Sequence, residues 1–402
     1  MKFSELDGRR IVLWGLGRET RALRAELERR LPSAQISAVI DDATPAPQAR
    51  EAIACADVLV RSPGVSVYKP LIQEALAAGR TVTTATALWL AQRGGVHVIG
   101  VTGTKGKSTT ATVVAHLLSQ LTATELAGNI GRPVIELLDT PADTWVVCEL
   151  SSYQITDLTV GPEVALLTNL SREHTDWHGS EERYRADKLR LFDLPGVRAV
   201  VRPLGDRGGW QPVVAPDQIP LRGRHNAENV AAAVAAIRAA GFEPPLLPQA
   251  LAGLQPLPHR LQTVHSDARG VEWVNDSIST TPESAIAAVE SFPGRPLVLI
   301  AGGSEREQDY ARLGAVLAAR AAQTRLVLLP DTGERIAAAA ASQGFGRGRM
   351  STAGDMRQAT RVARMLAAPG GVVLLSPAAP SFNAYANFEE RGDEFAALAL
   401  HE

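Results

Sequence analysis

Gly103-Thr104-Lys105-Gly106-Lys107-Ser108-Thr109 is the segment whose residue types and spacing speak most directly of chemistry. It follows the apolar run Val96 to Thr102 and precedes the helix-like stretch Thr110 to Gln120, so its glycines fall where a strand must turn into a helix. Such a loop curls its backbone N–H groups around phosphate oxygens, and the helix N-terminus favours negative charge there. Lys107 can reach terminal phosphates and Ser108 can ligate Mg²⁺. The strict pattern has glycine at position 101, where this chain has Val101, so the loop is a variant P-loop. Glu149 follows the strand-like Thr144 to Cys148, and Asn169, Glu173 and His174 follow Val164 to Thr168. The carboxyl ends of parallel strands converge on one crevice, so these groups can face the loop and Glu149 can hold a cation. Alone, Glu149 would read as a solvated strand end and His174 as a structural histidine.

The elements that must position these groups repeat as a short β-rich run feeding a helix, the mark of parallel α/β units. The first runs from Arg10 to Gly17, then through a helix from Thr20 to Arg30, a strand from Ile36 to Ile40 and another from Asp57 to Arg61. The second begins at Val96, adds a strand at Ala199 to Arg202, and closes with a helix over Asn226 to Ala240. Gly253 to Pro258 reads as a hinge. The third contains Val271 to Asp276, Pro296 to Ala301, Arg325 to Leu329 and Gly371 to Leu375, and is expected to be a third open parallel sheet. The fold expected is therefore α/β, with three consecutive domains: Rossmann-like, P-loop ATPase-like and Rossmann-like.

Composition limits the rest. Lys plus Arg (41) against Asp plus Glu (43) leaves a net charge of -2 over 402 residues, which excludes nucleic-acid binding by bulk charge. Any phosphate site must be local. Two cysteines, Cys55 and Cys148, make no disulfide framework and suit a reducing cytoplasm. No stretch approaches a membrane span, and the amino-terminal apolar run is interrupted too early for a signal peptide.

Several ordered motifs resemble those of the Mur ligases, ATP-dependent amide-bond ligases of peptidoglycan precursor synthesis. They are GTKGKST at 103–109, GNIG at 128–131, ELSSYQ at 149–154, TNLSREHTDWHG at 168–179, YRADK at 184–188, RHNAEN at 224–229, LPHR at 257–260, NDS at 275–277 and LSPAAPSFNAYANFEERGDEF at 375–395. The wording is most similar to family members that add glutamate to UDP-N-acetylmuramoyl-L-alanine. The resemblance implies a uridine-nucleotide domain at 1–92, an ATP domain at 93–256 and an acceptor domain at 257–402. It implies ATP contacts by Gly103, Thr104, Lys105, Gly106, Lys107, Ser108, Thr109, Asn226, Asn229, Arg260 and Asp276. Catalytic groups would be Lys107, Glu149, His174 and Lys188. Two Mg²⁺ ions would be held with help from Ser108, Glu149, His174 and Lys188, the last as a carbamate. Asn129 would contact the uridine substrate.

Gly15-Leu16-Gly17-Arg18-Glu19-Thr20 tempts a dehydrogenase reading, but Thr20 stands at the third glycine of the dinucleotide fingerprint. The resemblance implies instead that Gly15, Arg18 and Glu19, with Asp41, Asp42, Ser62, Pro63 and Gly64, cradle the UDP group. For the acceptor glutamate it implies Thr280, Arg306, Ser381, Phe382 and Phe388. Members adding D-glutamate usually carry a lysine two residues after the aspartate, where this chain has Ile278, and Ser304-Glu305-Arg306-Glu307 replaces a second lysine loop. The Asp276-Ser277-Ile278-Ser279-Thr280-Thr281-Pro282 wording resembles a variant that adds L-glutamate, with a partner epimerase acting on the product; D-glutamate is the alternative. More distant alternatives are a folylpolyglutamate synthase-like ligase and an inactive regulatory relative. A monomer is expected.

Overall fold

Short runs of Val, Ile and Leu bounded by glycine become the inner strands, and the more polar runs become edges. In the computed structural model, which describes residues 1–170, 175–203, 209–223 and 225–401, they assemble into three sheets in chain order. The first contains β1 (Arg10–Trp14), β2 (Gln35–Ile40), β3 (Val58–Arg61) and β4 (Thr81–Thr83), ordered β2-β1-β3-β4 and parallel throughout. The second contains β5 (Val98–Thr102), β6 (Thr124–Gly128), β7 (Trp145–Glu149), β8 (Val164–Leu167) and β9 (Ala199–Val201), ordered β6-β7-β5-β8-β9, also parallel. Strands β5, β7 and β8 are buried on both faces, as continuous apolar runs require. In each sheet the chain reverses its direction of travel beside the first strand, which opens a crevice at that strand's carboxyl end.

Helix Ala85–Arg93 joins these two sheets. Thr84 caps its start by accepting from the Ala87 amide, and Gly94, at φ +72°, ends it in the left-handed region. Residues 85–91 are all buried, because the helix is apolar around nearly its whole circumference. Leu88, Trp89 and Leu90 share one core with Leu13 and Val60 of the first sheet and Val98 and Val146 of the second. Residues Met1–Ile219 and His225–Leu254 accordingly form one compact unit.

The second unit comprises Pro220–Arg224 and Gln255–Glu402. Its sheet contains β10 (Gln262–Ser266), β11 (Glu272–Asn275), β12 (Leu297–Gly303), β13 (Thr324–Asp331), β14 (Met350–Thr352) and β15 (Val372–Leu375), ordered β10-β11-β15-β12-β13-β14. Strand β10 runs antiparallel to β11, so the expectation of a wholly parallel third sheet is corrected at that edge. The reversal is a tight turn between the two strands: the Asp267 amide donates to the Val271 carbonyl at 3.0 Å, the Gly270 amide donates to the Asp267 carbonyl at 2.9 Å, and Gly270 sits at φ +72°. Strands β4, β6, β10 and β14 have no counterpart in the sequence reading. They are edge strands of three to five residues, too short and too polar to show periodicity. Strand β5 starts at Val98 rather than Val96 because His97 sits at φ +53°.

Trp89→Ala is expected to cost the amino-terminal unit about 3–5 kcal/mol, measured as a lower urea midpoint with an unchanged denaturant slope.

Candidate active site

At the end of β5 the chain turns through Gly103 at φ +151° and Gly106 at φ +76°. A Cβ on Gly103 would lie 1.9 Å from Thr168 Oγ1, and one on Gly106 would lie 2.5 Å from Asn229 Oδ1, so both positions are closed to other residues. Asn169 fixes the loop from the neighbouring strand end: its Oδ1 accepts from the Lys105 amide at 2.9 Å, and its carbonyl accepts from the Thr104 amide at 3.0 Å. The helix Lys107–Leu118 then begins immediately, earlier than expected.

Two ammonium groups meet this loop. Lys107 Nζ donates to the carbonyls of Gly103 and Thr104 at 3.1 and 3.0 Å. Lys188 Nζ, only 1% exposed, donates to the same Gly103 carbonyl at 2.8 Å and lies 5.1 Å from the centre of the Tyr184 ring. The Tyr184 hydroxyl is hydrogen-bonded to Thr104 Oγ1. Thr109 is buried, Ser108 is half-buried and Lys105 is exposed. Asn229 bonds Thr110 Oγ1 and donates to Asn226 Oδ1, which brings both predicted asparagines to the helix that follows the loop.

Glu149 pairs across the sheet with Val101, so it stands beside the strand that leads into the loop. It is the last residue of β7, not the first beyond it. The carboxylate is 1% exposed; Oε1 accepts from Asn129 Nδ2 at 2.7 Å, and Oε2 has no hydrogen-bond partner among the described residues. An unmatched buried carboxylate oxygen is costly, and a cation at this edge would satisfy it. No group of three or more His, Cys, Asp or Glu converges among the described residues. Among the described residues, Glu149 and Ser108 would be the side chains to hold a metal at this edge, and with phosphate oxygens they make an oxygen donor set that suits Mg²⁺. His174 lies outside the described residues.

The first sheet presents its own crevice. Ser62 crosses beneath the β1 turn, where a Cβ on Gly15 or Gly17 would lie 3.2 Å or 2.5 Å from Ser62 atoms. Gly15-Leu16-Gly17 and Ser62-Pro63-Gly64 thus form two walls at adjacent strand ends. The predicted charged residues are less free. Arg18 donates to the Asn129 carbonyl, Asp41 closes its own turn onto Ala43 and Thr44, and Asp42 pairs with Lys69. Glu19 departs from the expectation that it faces UDP: it is buried, and its oxygens accept from Thr86 Oγ1 and Gln154 Nε2. Burial raises its carboxyl above the usual range. Gln154, Arg61, Tyr68, Asp157 and His178 were not singled out from sequence, yet they hold the two crevices together. Gln154 and His178 fall inside the motifs at 149–154 and 168–179, whereas Arg61, Tyr68 and Asp157 fall in none.

In the second unit Asp276 is 2% exposed and accepts from the Leu261 amide at 3.1 Å and Ser376 Oγ at 2.8 Å. Burial pushes its carboxyl up to about 6, against hydrogen bonds from Ser279 and Ser376 and the nearby Arg260 charge. Arg260 Nε is buried with no hydrogen-bond partner among the described residues. Thr280 is held through its carbonyl by Gln308, Ser381 is buried, and Phe388 lies edge-on to His259. The Arg306 guanidinium lies 5.8 Å from the centre of the exposed Phe382 ring. Below these loops Arg391, 1% exposed, donates to Ser277 Oγ, Ser277 O and Ala379 O.

Residues 101–202 match the Mur ligase middle domain, and residues 259–379 match the Mur ligase glutamate ligase domain. A UDP-N-acetylmuramoyl-L-alanine--L-glutamate ligase of Micromonospora is 38% identical over 450 residues, covering 98% of this chain and 97% of its own. An enzyme of the same name from Xylella fastidiosa is 38% identical over 454 residues, covering 99% and 97%. Two solved structures share the fold at lower identity. The UDP-N-acetylmuramate-alanine ligase MurC of Thermotoga maritima gives a TM-score of 0.61 at 17% identity, over 97% of this chain and 98% of its own. The MurF ligase of Thermotoga maritima in complex with ADP gives 0.58 at 16%, over 99% and 98%. With relatives this similar across nearly its entire length, the chain belongs to the Mur ligase family of ATP-dependent, amide-bond-forming ligases.

Proposed function

We propose that this enzyme joins L-glutamate to UDP-N-acetylmuramoyl-L-alanine in the cytoplasm. The observation that carries the site is the convergence at one sheet edge of a phosphate loop, two lysine ammoniums and the unpartnered Glu149 oxygen. Glutamate as acceptor, and its L form, are supported by the relatives' names and by the absence of lysine at Ile278 and in Ser304–Glu307. The region 1–92 would bind the uridine nucleotide, 93–256 ATP, and 257–402 the amino acid.

The substrate carboxylate attacks the γ-phosphorus of ATP; the new P–O bond forms as the bond to ADP breaks, leaving an acyl phosphate. The glutamate amine then attacks the carbonyl, loses a proton and expels phosphate. The first step brings anions together. Unit charges 4 Å apart repel by about 4 kcal/mol at an effective dielectric near 20, so local cations decide whether the step proceeds. Lys107 and the helix N-terminus behind it supply fixed positive potential without reorganisation. Bound Mg²⁺ supplies further charge neutralisation at the phosphates, with Glu149, Ser108 and His174 as its protein side. Lys188, buried against Gly103, would become an anionic second support for metal if carbamylated. Catalysis is positioning and charge stabilisation, so no nucleophilic side chain is needed. Arg306 would grip the acceptor's side-chain carboxylate in the bidentate way that an ammonium cannot, with Phe382 as its wall. A monomer suffices for these roles, and an epimerase would act on the product downstream.

With UDP-N-acetylmuramoyl-L-alanine and Mg²⁺ present, ADP and phosphate release is expected only when L-glutamate is supplied. Turnover with D-glutamate alone would overturn the choice of enantiomer, and silence with both would overturn the function. Lys107→Ala is expected to lower ADP formation by about 10²-fold or more while calorimetry shows the UDP substrate still bound. Asp276 gives a pH test. Its carboxyl titrates near 6 when folded against an ordinary 3.8, so the folded state holds the proton more tightly, and stability falls as pH rises from about 4 to about 6. Asp276→Asn is expected to flatten that part of the stability profile in pH-dependent denaturant melts.

A further inference from the structure

Arg61 ends β3 and is completely buried, yet it serves no strand pairing with its side chain. One edge of its guanidinium holds the uridine-side loop: Nη1 donates to the carbonyls of Pro63 at 3.2 Å and Val65 at 2.7 Å. The other edge holds the segment that follows Glu149. There Nη2 donates to the Tyr153 carbonyl at 2.8 Å, to Thr156 Oγ1 at 2.7 Å and to Asp157, whose second oxygen accepts from Nε at 3.3 Å. Asp157 is itself almost fully buried. A second set of contacts runs parallel to this one. Trp177 donates from Nε1 to the Gly64 carbonyl, receives Ser66 Oγ on its own carbonyl, and stacks on Tyr153 with ring centres 4.5 Å apart. Tyr68 donates its hydroxyl to Asp187, which also binds His178 Nδ1 at 2.6 Å and immediately precedes Lys188.

These partners are not scaffold. Residues 62–64 form one wall of the first sheet's crevice, while 149–157 leads away from the metal-binding carboxylate and 188 touches the phosphate loop. A buried ion pair is a poor stabilising device, since its desolvation roughly cancels its attraction. What a planar guanidinium does well is fix several acceptors in one geometry. Resting on the proposed function, we infer that Arg61, assisted by Tyr68, is a positioning residue that locks the uridine-nucleotide loop to the Glu149 segment and so sets the distance between the substrate carboxylate and the γ-phosphate of ATP. Misplacing reactants by about 1 Å costs on the order of 10²-fold in rate, so the lock acts on turnover rather than on either binding site.

Three variants of the full chain test this. Arg61→Met/Asp157→Leu removes the pair without stranding a buried charge, Arg61→Lys keeps the charge but loses the fork, and Tyr68→Phe removes one hydroxyl with little risk to folding. Thermal melts establish folding, calorimetry gives affinities for UDP-N-acetylmuramoyl-L-alanine and for a non-hydrolysable ATP analogue, and steady-state assays give kcat. The expected result is affinities within about threefold of the parent, with kcat lowered about tenfold or more in the folded Arg61 variants and about threefold in Tyr68→Phe. A folded Arg61 variant with kcat within about twofold of the parent would overturn the inference. So would loss of affinity for both ligands with full rescue by Arg61→Lys, which marks a simple brace. An inactive parent protein would instead overturn the proposed function, and the inference with it.

Discussion

The amino-terminal unit depends on one burial: helix Ala85–Arg93 lies between two parallel sheets and leaves almost no side exposed. Each sheet alone can make a crevice at its carboxyl edge, but two crevices are useful to a single reaction only at a constant separation. A surface helix would leave that separation to a flexible connection. Here Leu88, Trp89 and Leu90 pack into a core shared by both sheets, so hydrophobic burial sets the coarse placement. Directional contacts, Glu19 with Gln154 and Arg61 with Asp157, refine it at the edges where ligands would sit.

The same edges explain how a nearly neutral protein handles polyanions. Positive charge is placed where backbone geometry already favours phosphate: two lysines converge on the Gly103 carbonyl, and a helix begins at Lys107. Glu149 looks out of place among them until its unmatched oxygen is considered. A carboxylate beside a phosphate loop is repulsive unless a cation lies between, and that unmet need is what suits the position to Mg²⁺. The second unit shows a comparable economy. Asp276 is held by backbone and hydroxyl donors just beyond the end of β11, and Arg391 donates to the loops around Ser277 and Ala379 and ties them together.

Much of the plan was legible from residue order. The phosphate loop could be read because glycine at Gly103 and Gly106 answers a local backbone demand, positive φ and close approach, which leaves a fixed local pattern. The inner strands were legible for a similar reason, since double-sided burial writes an unbroken apolar run. Edge strands β4, β6, β10 and β14 were not, because strands of so few residues, open to solvent along one side, carry no such run. The antiparallel return of β10 also escaped notice, since the order of strands in a chain does not state their direction.

Residue types, spacing and local backbone rules therefore determined the three-sheet α/β plan and the glycine-turned loop between β5 and the helix at Lys107. The fold alone assigned the partners. Arg61 meets Asp157 across 96 residues and Glu19 meets Gln154 across 135, and no periodicity marks such pairs. The family resemblance implied Glu19 as a contact to the UDP group, but burial against Thr86 and Gln154 makes it a joint instead. Local geometry follows from neighbours along the chain. Which long-range hydrogen bonds form, and which carboxylate oxygen is left without one, depends on how whole sheets pack.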